Sequence, residues 1–327
     1  DEGVSVIIAG SPLARHRHDS FAFLLVGDET QIKSALDKHP NLRAASEILH
    51  SDIVVTPDDK VSAALRKAKT SSMGMAINAV KSGDASAAVS GGNTGALMAT
   101  AKLALRTMPG IDRPALSALL PTLEDTDVVM LDLGANTECE AKNLVQFAIM
   151  GAAYSRIIFG FDRPRVRLLN IGTEEMKGTE SLRDAAQHLR DASGLHMDFQ
   201  GFVEADKINR GECDVVVCDG FTGNIALKSI EGTARFVTDL LRRAFTSSIR
   251  SKFGFLVSRP ATELLRHHLD PNNHNGAVFM GLNGVVVKSH GSANIKGVAH
   301  AVEVAARLVE EDITARITQD LARVQAG

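Results

Sequence analysis

A repeated alternation constrains this chain most. Short runs of β-branched and aliphatic residues end in glycine-bearing turns, and longer segments of helical period follow. Strand candidates are 22–26, 85–90, 128–133, 166–170, 214–218 and 284–288. Helix candidates are 60–69, 94–106, 144–159, 181–191 and 292–311; the run 4–8 reads equally as a strand or as the start of a helix reaching Arg15. Such a pattern predicts an α/β fold whose largely parallel sheet is buried on both faces. Aromatic residues make up only 4% of the chain, with no Trp and one Tyr, so Ala, Val, Ile and Leu must build that core. No internal repeat or Pro/Gly-rich linker interrupts the 327 residues, which read as a single domain, 1–327.

Several function classes are disfavoured at once. The formal charge is −3 and no aromatic–basic motif is present, so nucleic acid is not an expected partner. Three scattered cysteines (Cys139, Cys213, Cys218) make no disulfide framework, and no set of residues has zinc spacing, so no metal is expected. There is no signal peptide and no uninterrupted apolar run long enough to cross a bilayer, which points to the reducing cytoplasm. The sequence opens at Asp1 without a methionine, so an N-terminal piece is expected to be missing from it.

In open α/β sheets, ligands sit beyond the carboxyl ends of strands, where loops enter the next helix. Five such junctions carry Gly beside Asn, Thr, Ser, Lys or His. They are Gly91-Gly92-Asn93-Thr94-Gly95, Gly134-Ala135-Asn136, Gly172-Thr173 through Lys177-Gly178, Asp219-Gly220-Phe221-Thr222-Gly223-Asn224, and Lys288-Ser289-His290-Gly291-Ser292. Glycine lets a backbone approach an anion closely, and helix N-termini add N–H donors and a favourable dipole. The same residues also suit ordinary helix caps, so each loop alone says little. Five meeting at one edge of the sheet would make an anion site. None of the loops is a P-loop, a dinucleotide Gly-x-Gly-x-x-Gly or a Gly-x-Ser-x-Gly elbow.

Seven longer segments resemble the PlsX family of phosphate acyltransferases. They are Phe23-Leu24-Leu25-Val26-Gly27-Asp28-Glu29, Ser90-Gly91-Gly92-Asn93-Thr94-Gly95-Ala96-Leu97-Met98, Pro109-Gly110-Ile111-Asp112-Arg113-Pro114-Ala115, Leu131-Asp132-Leu133-Gly134-Ala135-Asn136, Leu168-Leu169-Asn170-Ile171-Gly172, Cys218-Asp219-Gly220-Phe221-Thr222-Gly223-Asn224-Ile225-Ala226-Leu227-Lys228, and Gly281-Leu282-Asn283-Gly284 running on through Lys288-Ser289-His290-Gly291. The resemblance implies a three-layer α/β/α sandwich, Rossmann-like and similar to phosphate acetyltransferases and isopropylmalate-type dehydrogenases. It also implies a homodimer and transfer of an acyl group from acyl carrier protein to inorganic phosphate, with no cofactor. The family opens with a strand and Asp-Ala-Met-Gly-Gly-Asp; only Asp1 matches, so that strand and two glycines of a phosphate loop are absent from this sequence.

Phosphate is already a nucleophile and a thiolate a good leaving group, so the protein's task is to hold the anion and stabilise an oxyanion. Asn93, Thr94 and Asn224, with loop amides, are the expected cradle, and Lys177 or His290 the group that offsets transition-state charge. His290 is alternatively a general acid–base. Gly95, Asn136, Asp219, Thr222, Gly223, Lys288 and Ser289 complete the candidate set; solvated lysines and helix caps are the plainer roles for several of them. Cys218 reads as a small buried hydrophobe rather than a nucleophile. With turns 91–95, 172–178 and 219–224 on opposite rims, or with no shared hollow, the acyl-transfer reading would collapse. The other readings weighed are a metal-dependent decarboxylating dehydrogenase and a non-catalytic scaffold for carrier protein or membrane.

One stretch stands apart. Residues 231–270 read as a protruding basic amphipathic helical hairpin. Arg235 to Arg266 holds seven Arg or Lys against two Asp or Glu. Arg242 and Arg243 flank an apolar stripe, and Phe253, Phe255 and Leu256 lie in an apolar patch expected at the tip. Such a hairpin suits an anionic membrane surface or acidic acyl carrier protein, with packing on a dimer partner as the alternative.

Overall fold

A computed structural model describes residues 3–17, 21–56, 59–192 and 194–326; Asp1 lies outside them. Helix α1 (Gly3–Arg17) resolves the ambiguous opening run as helical. Strands β1 (Phe23–Gly27) and β2 (Ser46–His50) pair in parallel as a small sheet of their own. Helices α2 (Glu29–Leu36) and α3 (Pro40–Arg43) close its core around Ile8, Leu25, Ile32, Leu36 and Leu42.

The main sheet has eight strands. In chain order they are β3 (Ala87–Ser90), β4 (Ala115–Leu120), β5 (Val128–Leu131), β6 (Arg165–Leu169), β7 (Asp198–Val203), β8 (Val215–Val217), β9 (Ala277–Met280) and β10 (Val285–Lys288). Their spatial order is β3-β10-β9-β4-β5-β8-β6-β7. Pairing is parallel for β3 with β10 and along β5-β8-β6-β7, but antiparallel at β10-β9, β9-β4 and β4-β5. The sheet is therefore mixed, not largely parallel. Three strands, β3, β4 and β10, run one way and the other five run the opposite way.

Helices cover both faces, giving the expected three-layer α/β/α sandwich. One face packs α7 (Ala141–Phe159), α8 (Glu180–Asp191), α12 (Ile295–Glu310) and α13 (Ile313–Ala326) on Leu119, Leu131, Leu168 and Val287. The other face packs α4 (Val61–Arg66), α5 (Ser72–Ser82) and α6 (Thr94–Leu105) on Leu116, Met130 and Val286. Helix α9 (Gly220–Thr246) joins that second layer through Ala226, Leu227 and Ile230. The core is aliphatic, as the scarcity of aromatics requires.

At 27 residues, α9 is about 40 Å long, far longer than the sheet is tall. Its second half carries α10 (Ile249–Val257) and α11 (Arg259–His268), neither of which has a buried residue. The helical segment foreseen at 231–270 therefore begins at Gly220, inside a candidate site loop. The apolar patch foreseen at a tip is instead part of helix α10.

Candidate active site

Strand direction divides the candidate loops between two rims. The turns after β3 and β10, holding Asn93, Thr94, Gly95, Lys288, Ser289 and His290, leave by one rim. The turns after β5, β6 and β8, holding Asn136, Lys177, Asp219, Thr222, Gly223 and Asn224, leave by the opposite rim. From β10 to β5 there are three strand steps, about 14 Å sideways, in addition to the height of the sheet. The expected meeting of all five turns at one edge is thus corrected, and Asn93, Thr94 and Asn224 do not form one cradle within this chain. The antiparallel β4 and β9 cause the reversal. Hydrophobic pattern marks a strand but carries no direction.

The β5/β8 rim is built around Asp132, which is fully buried. Its carboxylate accepts hydrogen bonds from the backbone N–H groups of Leu116 (2.9 Å), Gly134 (3.2 Å), Ala135 (3.0 Å) and Asn136 (2.7 Å), and from Asn136 Nδ2 (2.8 Å). Burial pushes this carboxyl above the usual carboxylate range even against those donors. Asn136 also donates Nδ2 to Pro114 O at 2.8 Å, and its own carbonyl accepts from Gly220 N at 2.8 Å. Asp219 caps α9, accepting from Thr222 N at 2.8 Å and Thr222 Oγ1 at 2.7 Å. Asn224 stands exposed beside Gly134, whose φ of +125° only glycine holds easily. Lys177 is exposed on the loop after β6, where Asn170 Nδ2 ties down its carbonyl at 3.1 Å.

The β3/β10 rim gathers positive charge. Asn93 caps α6, its side chain accepting from Ala96 N at 2.9 Å, so Thr94 and Gly95 open the helix. Half-buried Lys288 donates Nζ to Gly91 O at 3.3 Å and to Ser289 O. Burial, with Lys228 of α9 adding repulsion, brings its ammonium down to about 8. Ser289 is buried and accepts from Asn275 Nδ2 at 2.8 Å. His290 is held below the usual imidazole range, first by desolvation; Glu231 opposes this and Lys288, Lys228 and Arg235 reinforce it. Helix α9 thus starts on one rim and brings Lys228, Glu231 and Arg235 to the other. Those three were not among the sequence candidates. Lys228 closes the PlsX-like segment 218–228 and Arg235 opens the basic run, but neither was placed in the site, and nothing local marked Glu231 or Asn275.

Among the described residues no group of three or more His, Cys, Asp or Glu could hold a metal ion. A hollow of about 410 Å³ lies between α7 and α13, lined by Arg156, His196, Arg316 and Arg323 among others, and none of the candidate site residues lines it. Its central carboxylate, Asp320, is already paired with Arg156 at 2.6 Å.

By the rims alone the acyl-transfer reading fails the criterion set for it, and sequence comparison is what restores it. The profile of the family described as "fatty acid synthesis protein" matches residues 1–316. The chain belongs to that family. A protein named phosphate acyltransferase from Erythrobacter litoralis is 75% identical over 99% of this chain and 91% of its own length. Another of that name, from Parvibaculum lavamentivorans, is 52% identical over 99% of this chain and 90% of its own. The PlsX resemblance read from the motifs therefore stands, and the fatty acid synthesis family here is one of phosphate acyltransferases, that is, of enzymes. In fold, the chain is similar to a phosphotransacetylase from Streptococcus pyogenes, with a TM-score of 0.60 at 18% identity over 94% of this chain and 91% of that one.

Proposed function

We propose that this chain moves a fatty acyl group from acyl carrier protein to inorganic phosphate, releasing carrier thiol and an acyl phosphate for phospholipid synthesis. The observation that carries this reading is the 75% identity, over nearly the whole chain, to a relative named phosphate acyltransferase. The attacking phosphate oxygen forms the new bond to the thioester carbonyl carbon, the carbon–sulfur bond breaks, and the thiolate leaves with the carrier. No protein nucleophile is required. The β3/β10 rim suits the phosphate: the N-terminus of α6 at Thr94 and Gly95, with Lys288, Ser289 and His290, and with Lys228 and Arg235 reaching in from α9, opposes anionic charge with several cations. Lys177 and Asn224 face solvent on the opposite rim, too far from a phosphate held at β3/β10 to act on the same carbonyl within one chain. The chain works as one domain over 1–327 and as a homodimer in the cytoplasm, with the 231–270 segment making peripheral contact with membrane; no helix of the described residues is long and apolar enough to cross one.

The test mixes protein, acyl carrier protein loaded with a fatty acyl group, and varied phosphate, and follows free carrier thiol. Thiol release that rises and saturates with phosphate is expected. Release at the same rate without phosphate would refute the reaction.

A further inference from the structure

The turn after β10 holds His290 in an unusually determined way. Its ring nitrogen Nδ1 lies 3.2 Å from the backbone N–H of Ser292 and 2.8 Å from Ser292 Oγ. A backbone N–H can only donate, so Nδ1 must accept and carries no proton. In the neutral ring the proton then sits on Nε2, which is left to donate. The backbone of His290 is fixed as well. Asn275 is buried, and its Oδ1 accepts from His290 N at 2.8 Å. The Nδ2 of the same side chain donates to Ser289 Oγ at 2.8 Å and to Gly297 O at 2.7 Å, at the start of α12. His300 Nδ1 lies 2.6 Å from the Asn275 carbonyl oxygen, so the residue is tied at four points.

We propose that His290 serves the reaction as a hydrogen-bond donor through Nε2–H to an oxyanion of the substrates, with Asn275 and Ser292 as the positioning residues that fix its tautomer and its place on the rim. The inference rests on the acyl-transfer reading above and makes it more specific, because a general base at Nε2 would need a lone pair there, which the Ser292 N–H denies. The charged groups that act on the ring, Lys288, Lys228 and Arg235 against Glu231 alone, favour the neutral form and so agree.

Two substitutions separate donor from base. In His290→Gln the amide can still donate but cannot take up a proton; in His290→Ala neither is possible. A lost oxyanion donor costs about 100-fold in kcat, so Ala is expected to fall by that order and Gln to stay within about tenfold of the parent. Equal losses in both would overturn the donor role, and full activity in both would remove His290 from the site. Phosphate-dependent thiol release by the parent enzyme, measured in the same series, tells either result apart from failure of the acyl-transfer reading itself. Imidazole nitrogen NMR on the full chain should show the Nε2–H tautomer in the parent and in Ser292→Ala, which keeps the backbone donor. It should show a mixture in Asn275→Asp, with lower kcat. A parent ring protonated on Nδ1 would overturn the proposal. A merely structural Asn275 would lower the melting temperature without moving that signal, which would also overturn its assignment.

Discussion

Gly223 lies directly against the backbone carbonyl of Asp132: a β-carbon at position 223 would stand 1.9 Å from that oxygen and 2.7 Å from Cys218 Sγ. Neither neighbour is free to move. The Asp132 N–H donates to Cys218 O at 3.0 Å, and its carboxylate holds the whole following turn. Helix α9 can therefore leave the sheet at this angle only if residue 223 has no side chain. Gly223→Ala is expected to lower stability by about 3 kcal/mol, read as a shifted urea midpoint. Because α9 spans both rims, turnover should fall further than the loss of folded protein explains. An unchanged midpoint would show that α9 can lift away without cost.

Lys288 should give the protein a signature in alkali. Its folded-state ammonium titrates at about 8, below the 10.5 of a free lysine, because burial penalises the charge and Lys228 repels it. The unfolded chain therefore binds the proton more tightly, and between about pH 8 and 10.5 the folded state gains stability as pH rises. Below about pH 8 both states are protonated and the burial cost is felt in full. Lys288→Met should thus be more stable than the parent at pH 7 and should lack that rise, while losing phosphate-dependent turnover about 100-fold if the amine offsets substrate charge. Urea midpoints across pH 7 to 10.5, together with the phosphate KM, test both parts.

Much of this was legible in the residues. The six strand candidates and the helix after 94 hold to within a few residues, because aliphatic runs ending at glycine leave few alternatives. Four strands were not: β2, β4, β7 and β9. Strand β4 is Ala-Leu-Ser-Ala-Leu-Leu, a string of helix formers made extended by burial between β9 and β5. Missing the antiparallel β4 and β9 concealed the reversal of direction, and with it the division of the site between two rims. Capping was the plain reading for Asn93, Asp219 and Asn224; the first two are caps, but Asn224 lies inside α9, whose cap is Asp219. The role of Asn275 could not be read at all, since its partners Ser289, His290 and Gly297 lie 14 to 22 positions away.

Cys218 is expected to be inert. It is buried at the end of β8, its Sγ 3.4 Å from Asp132 O, and burial together with the nearby Asp132 and Asp219 carboxylates drives the thiol well above its ordinary range. Almost no thiolate exists at neutral pH. Cys218→Ala should keep turnover within about twofold, at a cost near 1 kcal/mol for the small void. Folded protein at pH 8 should leave this residue unlabelled by iodoacetamide, and rapid labelling would contradict its burial.

The projecting helices carry the last prediction. On α10, Ile249, Phe253, Leu256 and Val257 fall at i, i+4, i+7 and i+8, one face of a helix, and each is more than 60% exposed. Phe255 differs: its ring packs on Phe245 of α9 at 5.3 Å between centroids, joining α10 to the longer helix. Arg250, Lys252 and Arg259 lie beside the stripe. An apolar face edged with cations fits an anionic bilayer surface, each inserted side chain adding about 1.5–3 kcal/mol. Phe253→Glu with Leu256→Glu removes two such side chains and adds two repelling charges, while leaving the Phe245–Phe255 contact intact. Sedimentation with phosphatidylglycerol vesicles should fall by at least about 100-fold in partition coefficient, with turnover on soluble substrate nearly unchanged. Vesicle binding equal to the parent's would assign the stripe to contact between copies of the chain, and the sedimentation coefficient of the double variant would then drop to that of a monomer.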